Sequence, residues 1–196
     1  YRKALDLKPD HAGLYSNLGN LLQDLKRFDE ALAAHEKALA LKPDLPEAHN
    51  NRGNALRSLR RPGEALAAFE RALELRPDYA EAHYNRGNAL RDLGRAGEAL
   101  AGFDRALELK PDYPEAHNNR GNVRQELRRY DEAMAAYDRA LELKPDYPEA
   151  HNNRGNALQE LRRYDEAMAA YDRALELKPD YAEASWNKAL LLLLRG

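Results

Sequence analysis

Apolar positions return along this 196-residue chain at a constant interval of 34 residues, and polar positions recur between them in the same way. One alanine series comprises Ala31, Ala65, Ala99, Ala133 and Ala167. A glycine series comprises Gly19, Gly53, Gly87, Gly121 and Gly155. Each period ends on a Pro-Asp pair, whose prolines are Pro9, Pro43, Pro77, Pro111, Pro145 and Pro179. A constant interval of this length is typical of a repeat protein in which every period is one supersecondary unit.

Each period is predicted to contain two helices. After Pro43, the segment Asp44-Leu45-Pro46-Glu47 resembles a capping box, so the first helix is expected to begin there and to run to about Leu59. The turn is predicted at residues 60–63, and the second helix runs from about Glu64 to Leu75, because the next proline cannot continue it. A short connection makes the two helices antiparallel neighbours.

The glycines predict how the two helices pack. A glycine inside a helix costs ~1 kcal/mol relative to alanine, so its recurrence predicts that two helix axes approach closely there. The alanine series, with a second one from Ala38 to Ala174, is expected to supply the small surface opposite. Aromatic residues are expected to fill the space between hairpins, at Phe69, Phe103, Tyr137 and Tyr171. Because one hairpin cannot bury this face alone, the hairpins should share one continuous core.

Composition removes the competing fold classes. The chain has no isoleucine and no threonine, and Val123 is its single valine, so residues that favour strands are almost missing. Alanine, leucine, glutamate, lysine and arginine dominate, and all of them favour helices. The predicted class is therefore all-α.

The combination of Gly53, Ala65, Phe69, Ala72 and Pro77 with the period of 34 resembles the tetratricopeptide repeat. The resemblance implies a right-handed superhelical α-solenoid of antiparallel hairpins, with the first helices lining a concave side. A single array over 1–196 is expected, with full repeats at 12–45, 46–79, 80–113, 114–147 and 148–181. Partial repeats are expected at 1–11 (a second helix only) and 182–196 (a first helix only).

Three sets of residues depart from the family pattern. The places where the family often has an aromatic residue hold His49, His83, His117 and His151. Places that are usually apolar hold Arg52, Arg86, Arg120 and Arg154. Arg124 replaces a leucine that is kept as Leu22, Leu56, Leu90 and Leu158. These departures predict a core that is looser or richer in ion pairs than is usual for the family.

Two rows of asparagines are the candidate binding residues. Row one consists of Asn17, Asn51, Asn85, Asn119, Asn153 and Asn187. Row two lies three residues later on the same helical face and consists of Asn20, Asn54, Asn88, Asn122 and Asn156. An asparagine offers one acceptor and two donors, so it can pair with a peptide group. First helices about 10 Å apart would place a row-one amide at about every third residue of an extended peptide, which advances ~3.3 Å per residue.

The rows resemble those in the repeat domain of O-linked N-acetylglucosamine transferases, where such asparagines grip the substrate backbone. The resemblance therefore implies a protein or peptide partner, although its identity is open. The alternative is structural: the same amides could bond between neighbouring helices or face water. Carboxylates near the rows, among them Glu47 and Glu81, are partly offset by Arg57 and Arg91 and would favour a neutral or basic segment.

Other classes of function find little support. The formal charge is −2, with 31 basic and 33 acidic residues interleaved, which argues against nucleic acid. The longest apolar run, Ala189 to Leu194, is far below the ~18 residues of a membrane span. No cysteine is present, which is compatible with a reducing cytoplasm, and the compartment stays open.

No catalytic, metal or cofactor site is predicted. Histidines repeated about 10 Å apart could not share a zinc ion, whose nitrogen ligands lie ~2.0–2.1 Å from the metal. The few serines have no nucleophile-like context, and the glycines form no phosphate loop. The carboxylate clamp of cochaperone repeats is also absent, because matching places hold Asn50, Glu115 and Asn118.

The two partial repeats suggest further hypotheses. Tyr1 to Leu7 is predicted to be a second helix without its first, and Ala182 to Arg195 a first helix without its second, so head-to-tail self-association is expected. The stretch Glu183 to Leu190 also resembles the last repeat of bacterial proteins that carry a glycosyltransferase-like domain. Three hypotheses follow: a peptide-binding scaffold, a natural or designed repeat that assembles through its ends, and the recruiting arm of a larger enzyme.

Overall fold

The computed structural model describes residues 10–195. Within this range the chain forms eleven α-helices and no strand. The helices are α1 (Ala12–Asp24), α2 (Phe28–Leu41), α3 (Pro46–Ser58), α4 (Pro62–Leu75), α5 (Ala80–Asp92), α6 (Ala96–Leu109), α7 (Pro114–Glu126), α8 (Tyr130–Leu143), α9 (Pro148–Glu160), α10 (Tyr164–Leu177) and α11 (Ala182–Arg195). The all-α prediction is confirmed, and none of these helices is long and apolar enough to cross a membrane.

The chain divides into two compact units, and both are stacks of helical hairpins. The first unit ends at Leu109 and contains the hairpins α1–α2, α3–α4 and α5–α6. The second unit begins at Lys110 and contains α7–α8, α9–α10 and α11. Within each unit, the second helix of one hairpin contacts the first helix of the next, and successive first helices also touch each other. Each unit is therefore an all-α repeat solenoid in which adjacent hairpins pack on each other.

Helix ends agree with the prediction, whereas helix starts do not. The helices α3 and α4 end at Ser58 and Leu75. However, α3 starts on Pro46 with Leu45 as its N-cap and has no side-chain capping bond, so the predicted capping box is wrong. Proline suits the first helical position because it needs no hydrogen-bond partner there and its φ is already helical. The second helix likewise starts at Pro62, two residues before the predicted Glu64.

The turn inside each hairpin uses one residue in the left-handed region. In the second hairpin this residue is Arg60, with φ of 60°. Its N–H donates to the carbonyl of Arg57 and the N–H of Arg61 donates to that of Leu56, both at 3.0 Å. These two bonds satisfy carbonyls that the helix end leaves without partners. The other left-handed positions are Lys26, Gly94, Arg128 and Arg162.

The glycine series marks a close approach, but its partner differs from the prediction. A Cβ added to Gly53 would lie 2.5 Å from Cε1 of Phe69, and one added to Gly121 would lie 2.5 Å from Cε1 of Tyr137. The aromatic ring of the second helix therefore lies directly on the glycine of its own hairpin. The prediction paired the glycines with alanines. The carbonyl oxygen of Ala99 does lie 3.2 Å from a Cβ added to Gly87, but the ring of the second helix is the nearer neighbour. A ring can lie flat over glycine because no side chain keeps it away.

Three of the unusual arginines, Arg52, Arg86 and Arg154, form ion pairs between hairpins, as their presence in apolar places suggested. Nε of Arg154 on α9 lies 2.7 Å from a carboxylate oxygen of Asp138 on α8. Arg52 on α3 pairs in the same way with Glu36 on α2, at 3.3 Å. Arg124 sits at the leucine position on α7, and its Nη1 donates to the backbone carbonyl of Glu132 at 3.3 Å.

Candidate functional site

Both asparagine rows lie on the first helices. Row one has one member on each of α1, α3, α5, α7, α9 and α11, and row two has one on each of the first five. Spacing of three residues places the two rows on one side of every first helix. Because successive first helices touch within a unit, the rows form a band of amides along each unit. We call this band the asparagine face.

Amides of the asparagine face bond from one hairpin to the next. Nδ2 of Asn51 donates to Oδ1 of Asn20 at 2.8 Å. Nδ2 of Asn187 donates to Oδ1 of Asn156 at 3.0 Å. In both pairs a row-one residue bonds to the row-two residue of the preceding hairpin. At least one amide hydrogen of Asn51 and of Asn187 is therefore used in bonds between hairpins, as the structural alternative predicted.

A third set of asparagines was not assigned this role from the sequence. Asn50, Asn118 and Asn152 directly precede row-one residues and are buried. Oδ1 of Asn50 accepts from Nδ2 of Asn85 at 2.9 Å, and Oδ1 of Asn152 accepts from Nδ2 of Asn187 at 3.0 Å. The available signal was their own recurrence beside row one. These residues anchor the asparagine face to the core.

Row members differ in their access to solvent. Asn17 and Asn20 are exposed, whereas Asn85 and Asn88 are buried, at 6% and 5% exposure. The half-buried members are Asn51, Asn54, Asn119, Asn122, Asn153, Asn156 and Asn187. A partner could therefore reach most of the face, but not its third hairpin.

Tyrosines fix the orientation of row two in the second unit. The hydroxyl of Tyr137 lies 2.9 Å from both Oδ1 of Asn122 and Oε1 of Gln125. The hydroxyl of Tyr171 lies 2.8 Å from Oδ1 of Asn156 and 3.2 Å from Oε1 of Gln159. Each amide therefore turns its oxygen towards the ring that covers the glycine. Its NH₂ group then provides the donors on the other side.

Members of the asparagine rows line two of the open grooves of the first unit. One has a volume of about 340 Å³ and is lined by Asn17, Asn20, Leu21 and Asp24. The other has a volume of about 510 Å³ and is lined by Phe28, Asn54, Arg57, Ser58, Arg60 and Asp92. Members of both rows therefore line concave surface in this unit.

Many acidic residues near the rows have partners. Glu47 pairs with Arg76 from the next connection, and Glu115 lies 3.5 Å from Nζ of Lys144. Glu81 and Glu183 accept from Asn50 and Asn152, each at 3.2 Å. The predicted acidic lining is thus partly neutralised, which weakens the expected preference for a basic segment.

The repeated histidines anchor the connections between hairpins. Nε2 of His49 lies 2.8 Å from the carbonyl oxygen of Pro43, and the same contact occurs at His83, His117 and His151 with the proline six residues earlier, at 2.9 Å. Burial lowers the pKa of all four imidazoles. Because a carbonyl oxygen can only accept, Nε2 of each ring donates to it. Residues 10–195 contain no group of three or more side chains that could hold a metal ion.

Comparison with known sequences and structures supports the repeat assignment. Models described as tetratricopeptide repeats match residues 10–78, 50–114, 103–135, 126–162 and 148–181. Among curated proteins no match was found.

Solved structures with this arrangement are numerous. The chain is similar to YrrB, described as a TPR protein with an unusual peptide-binding site, at 28% identity over 96% of this chain and 97% of YrrB, with a TM-score of 0.71. It is also similar to TTC0263 of Thermus thermophilus, described as a thermophilic TPR protein, at 28% identity over 93% and 99%, with a TM-score of 0.76. Pseudomonas aeruginosa PilF, at 21% identity over 93% and 83% with a TM-score of 0.84, shares the fold.

Proposed function

Since this chain belongs to the tetratricopeptide repeat family, we propose that it is a non-catalytic scaffold that holds an extended segment of a partner protein along its asparagine face. The family relationship and the fold neighbours support a protein-interaction role. Peptide binding is described for YrrB, which resembles this chain along almost its whole length.

The observation that carries the proposal is the hydrogen-bonding capacity that the asparagine face retains. Asn51 uses one amide hydrogen to bond Asn20, and this is the only hydrogen bond of its side chain among the described residues. Its oxygen and second amide hydrogen can therefore pair with a peptide group. Asn17 is exposed in a groove, and its side chain bonds no residue of the described range.

The inter-hairpin bonds also prepare the face for binding. A flexible side chain loses rotamer freedom when it binds a ligand, which weakens affinity. Because amides such as Asn51 and Asn187 are already held by neighbouring asparagines, part of that loss occurs on folding. The structural role of the rows therefore supports the binding role.

The test uses peptides that differ only in their backbone. A fluorescein-labelled peptide of glycine, serine and alanine, about nine residues long, would span roughly three first helices, which is the number in one unit. We expect it to bind, and we expect its copy with alternate N-methylated amides to bind at least about tenfold more weakly because backbone donors are lost. Fluorescence anisotropy measures both affinities.

Substitutions then locate the binding surface. The variant with Asn17→Ala, Asn51→Ala and Asn153→Ala should lose affinity for the unmodified peptide and keep its helical circular dichroism. Lys37→Ala, an exposed change on the second helix α2, is the matched control and should bind like the natural chain. Equal affinity of the triple variant and the control would rule out the asparagine face.

Self-association is a second candidate, favoured by the surface of α11. Trp186 and Leu193 are 71% and 80% exposed, and Leu192 and Leu194 are also largely exposed. Large exposed apolar side chains grouped on one helix are typical of an interaction site. The residues expected to form the other half of a head-to-tail contact, 1–7, lie outside the described residues.

A further inference from the structure

The groove of about 510 Å³ in the first unit differs in charge from its counterparts. We call it the Arg57 groove, and its lining residues are Phe28, Asn54, Arg57, Ser58, Arg60 and Asp92. It lies where α3 ends and its turn begins, next to a member of row two. The same three positions at the end of each first helix can therefore be compared across the five hairpins.

Four of the five hairpins are neutral at these positions. The three positions hold Gln23, Asp24 and Lys26 in the first hairpin, Arg91, Asp92 and Gly94 in the third, Gln125, Glu126 and Arg128 in the fourth, and Gln159, Glu160 and Arg162 in the fifth. In each of these, one carboxylate cancels one cation. The second hairpin holds Arg57, Ser58 and Arg60, which are two cations without a carboxylate, so its charge is +2. Serine stands where every other hairpin has an acid.

The cations of the Arg57 groove are available to a ligand. Nε of Arg57 donates to Oδ2 of Asp92 at 2.8 Å, and this bond leaves the two terminal nitrogens of the guanidinium. The two side chains of this pair are 36% and 44% exposed. Arg60 is exposed and forms no ion pair with any residue between 10 and 195. One of the two positive charges is therefore not balanced within the groove.

The remaining polar groups suit an anion. Asn54 and Ser58 add an amide and a hydroxyl donor beside the two arginines, and Phe28 provides an apolar wall. A planar guanidinium presents paired N–H groups that match the two oxygens of a carboxylate. The Asn54 amide also belongs to the asparagine face, so a segment lying on that face would pass the groove.

We infer that the Arg57 groove binds the carboxylate side chain of an aspartate or glutamate in the partner segment. This inference rests on the proposed function and names the chemistry that the second hairpin selects. It departs from the general expectation of a neutral or basic partner, because here the acidic residue of the repeat is missing. The asparagine face would bind the backbone of the segment, which does not set its register. The Arg57 groove would set the register by placing an acidic residue over the second hairpin.

Binding of three peptides tests the inference. The peptide of glycine, serine and alanine is made with glutamates, with glutamines or with lysines at the same alternate positions. The natural chain should bind the glutamate peptide about tenfold more tightly than the glutamine peptide, and the lysine peptide most weakly. The preference should decline as salt is raised, because the site is open to solvent.

Exchanging two residues between hairpins supplies matched variants. Arg57→Gln with Ser58→Glu gives the second hairpin the Gln-Glu pair of the fifth and should abolish the glutamate preference. Ser58→Glu alone leaves Arg57 and Asp92 in place, and this variant should also show a smaller preference for the glutamate peptide. The reverse exchange, Gln159→Arg with Glu160→Ser, should create a second carboxylate site in the fifth hairpin. Circular dichroism confirms that every variant is folded.

A direct measurement separates this inference from the proposed function. N-acetylglutamate amide carries the side chain without an extended backbone, and N-acetylglutamine amide is its neutral control. In ¹⁵N-resolved NMR, the acid should shift the signals of Ser58, the Asn54 amide and Arg57 Nε, whereas the control should not. Such shifts without peptide binding would support carboxylate binding in the Arg57 groove and would overturn the proposal that the asparagine face holds a peptide. Equal affinity for the glutamate and glutamine peptides, or shifts with inorganic phosphate but not with the acid, would overturn the groove.

Discussion

Single side chains show most clearly where this repeat departs from an ideal one. His35 takes the place that Phe69, Phe103, Tyr137 and Tyr171 hold in the other hairpins, and it lies against Gly19. It is fully buried, its Nδ1 has no hydrogen-bond partner, and its Nε2 lies 3.3 Å from Oε1 of Gln23. An imidazole thus replaces an apolar ring in the core, where an unbonded polar atom is costly.

Stability of the first hairpin should therefore depend on pH. Burial lowers the pKa of His35 from 6.5 to about 4. Between these two pH values His35 is protonated in the unfolded chain but neutral in the folded protein. The stability that depends on neutral His35 is fully present above pH 6.5 and is lost as the pH falls towards 4, by roughly 3 kcal/mol in total. His35→Phe should remove this loss.

Urea unfolding followed by circular dichroism at pH 7 and pH 4.5 measures the effect. The advantage of His35→Phe over the natural chain should grow at the lower pH, while the other histidines contribute equally to both chains. Phe69→His is the mirror variant and should create the same sensitivity in the second hairpin. A stability difference between His35→Phe and the natural chain that is the same at both pH values would contradict the burial of a neutral His35.

Arg124 is a second such residue, and the chain contains its own control. Segments 114–147 and 148–181 differ only at Val123/Ala157 and Arg124/Leu158. Leu158 is fully buried, whereas the Arg124 side chain is 18% exposed and its Nε lies 3.7 Å from the Glu132 carboxylate, beyond hydrogen-bond distance. We expect Arg124→Leu to stabilise the protein by about 2 kcal/mol, because an apolar side chain replaces a charge that folding largely removes from water.

The mirror substitution gives the opposite result at an almost identical site. Leu158→Arg should destabilise by about 3 kcal/mol, since it removes a packed leucine and buries a charge. Differential denaturation of the two variants measures both changes. A destabilised Arg124→Leu protein would mean that the arginine makes a contact that the core needs.

At the scale of the element, the left-handed turn limits the stability of each hairpin. Four of five hairpins place lysine or arginine at φ of 57–60°, and the third uses Gly94. A residue with a Cβ is strained there by about 1 kcal/mol, whereas glycine is not. Cations can be retained because they favour the negative end of the preceding helix dipole.

Glycine at this position should therefore stabilise the turn. We expect Arg128→Gly to raise the free energy of unfolding by about 1 kcal/mol and Gly94→Arg to lower it by a similar amount. Arg128→Ala keeps the strain while removing the charge, so it separates the two effects. Thermal unfolding ranks the three variants, and an Arg128→Gly protein less stable than Arg128→Ala would refute the strain argument.

At the scale of the whole molecule, acidic and basic residues are nearly equal in number, and the most exposed apolar side chains of the described residues are on α11. Ion pairs such as Arg61 with Glu64 and Arg163 with Glu166 are exposed and recur at the start of the second helices, where they contribute little each. The cores of the two units therefore carry the stability. The three most exposed large apolar side chains between residues 10 and 195, Trp186, Leu193 and Leu194, all lie on α11.

Self-association through α11 should therefore depend on concentration. We expect sedimentation velocity to show species larger than the monomer as the concentration rises, and the variant with Trp186→Lys and Leu193→Lys to shift the distribution towards monomer. Added lysines place charge in the apolar contact, which disfavours it. Lys37→Ala is again the control, and an unchanged distribution for the lysine variant would exclude this face.

The sequence alone determined the period, the two helices of each hairpin and the position of the close approach at glycine. These features depend on helix propensity, on proline and glycine, and on a constant spacing, all of which act over a few residues. The asparagine face was also predicted, because residues three apart share a helical face. Its use by a ligand stays a prediction.

Only the tertiary structure decided which side chains meet. Spacing could not show that Phe69 and not an alanine lies on Gly53, that buried Asn50 holds Asn85, or that Pro46 replaces a capping box. The charge of the Arg57 groove was present in the sequence, but its significance appeared only when Phe28, Asn54 and Asp92 joined it from three hairpins. Contacts between hairpins depend on rotamers and on distances between helices, and neither follows from the periodicity of one chain.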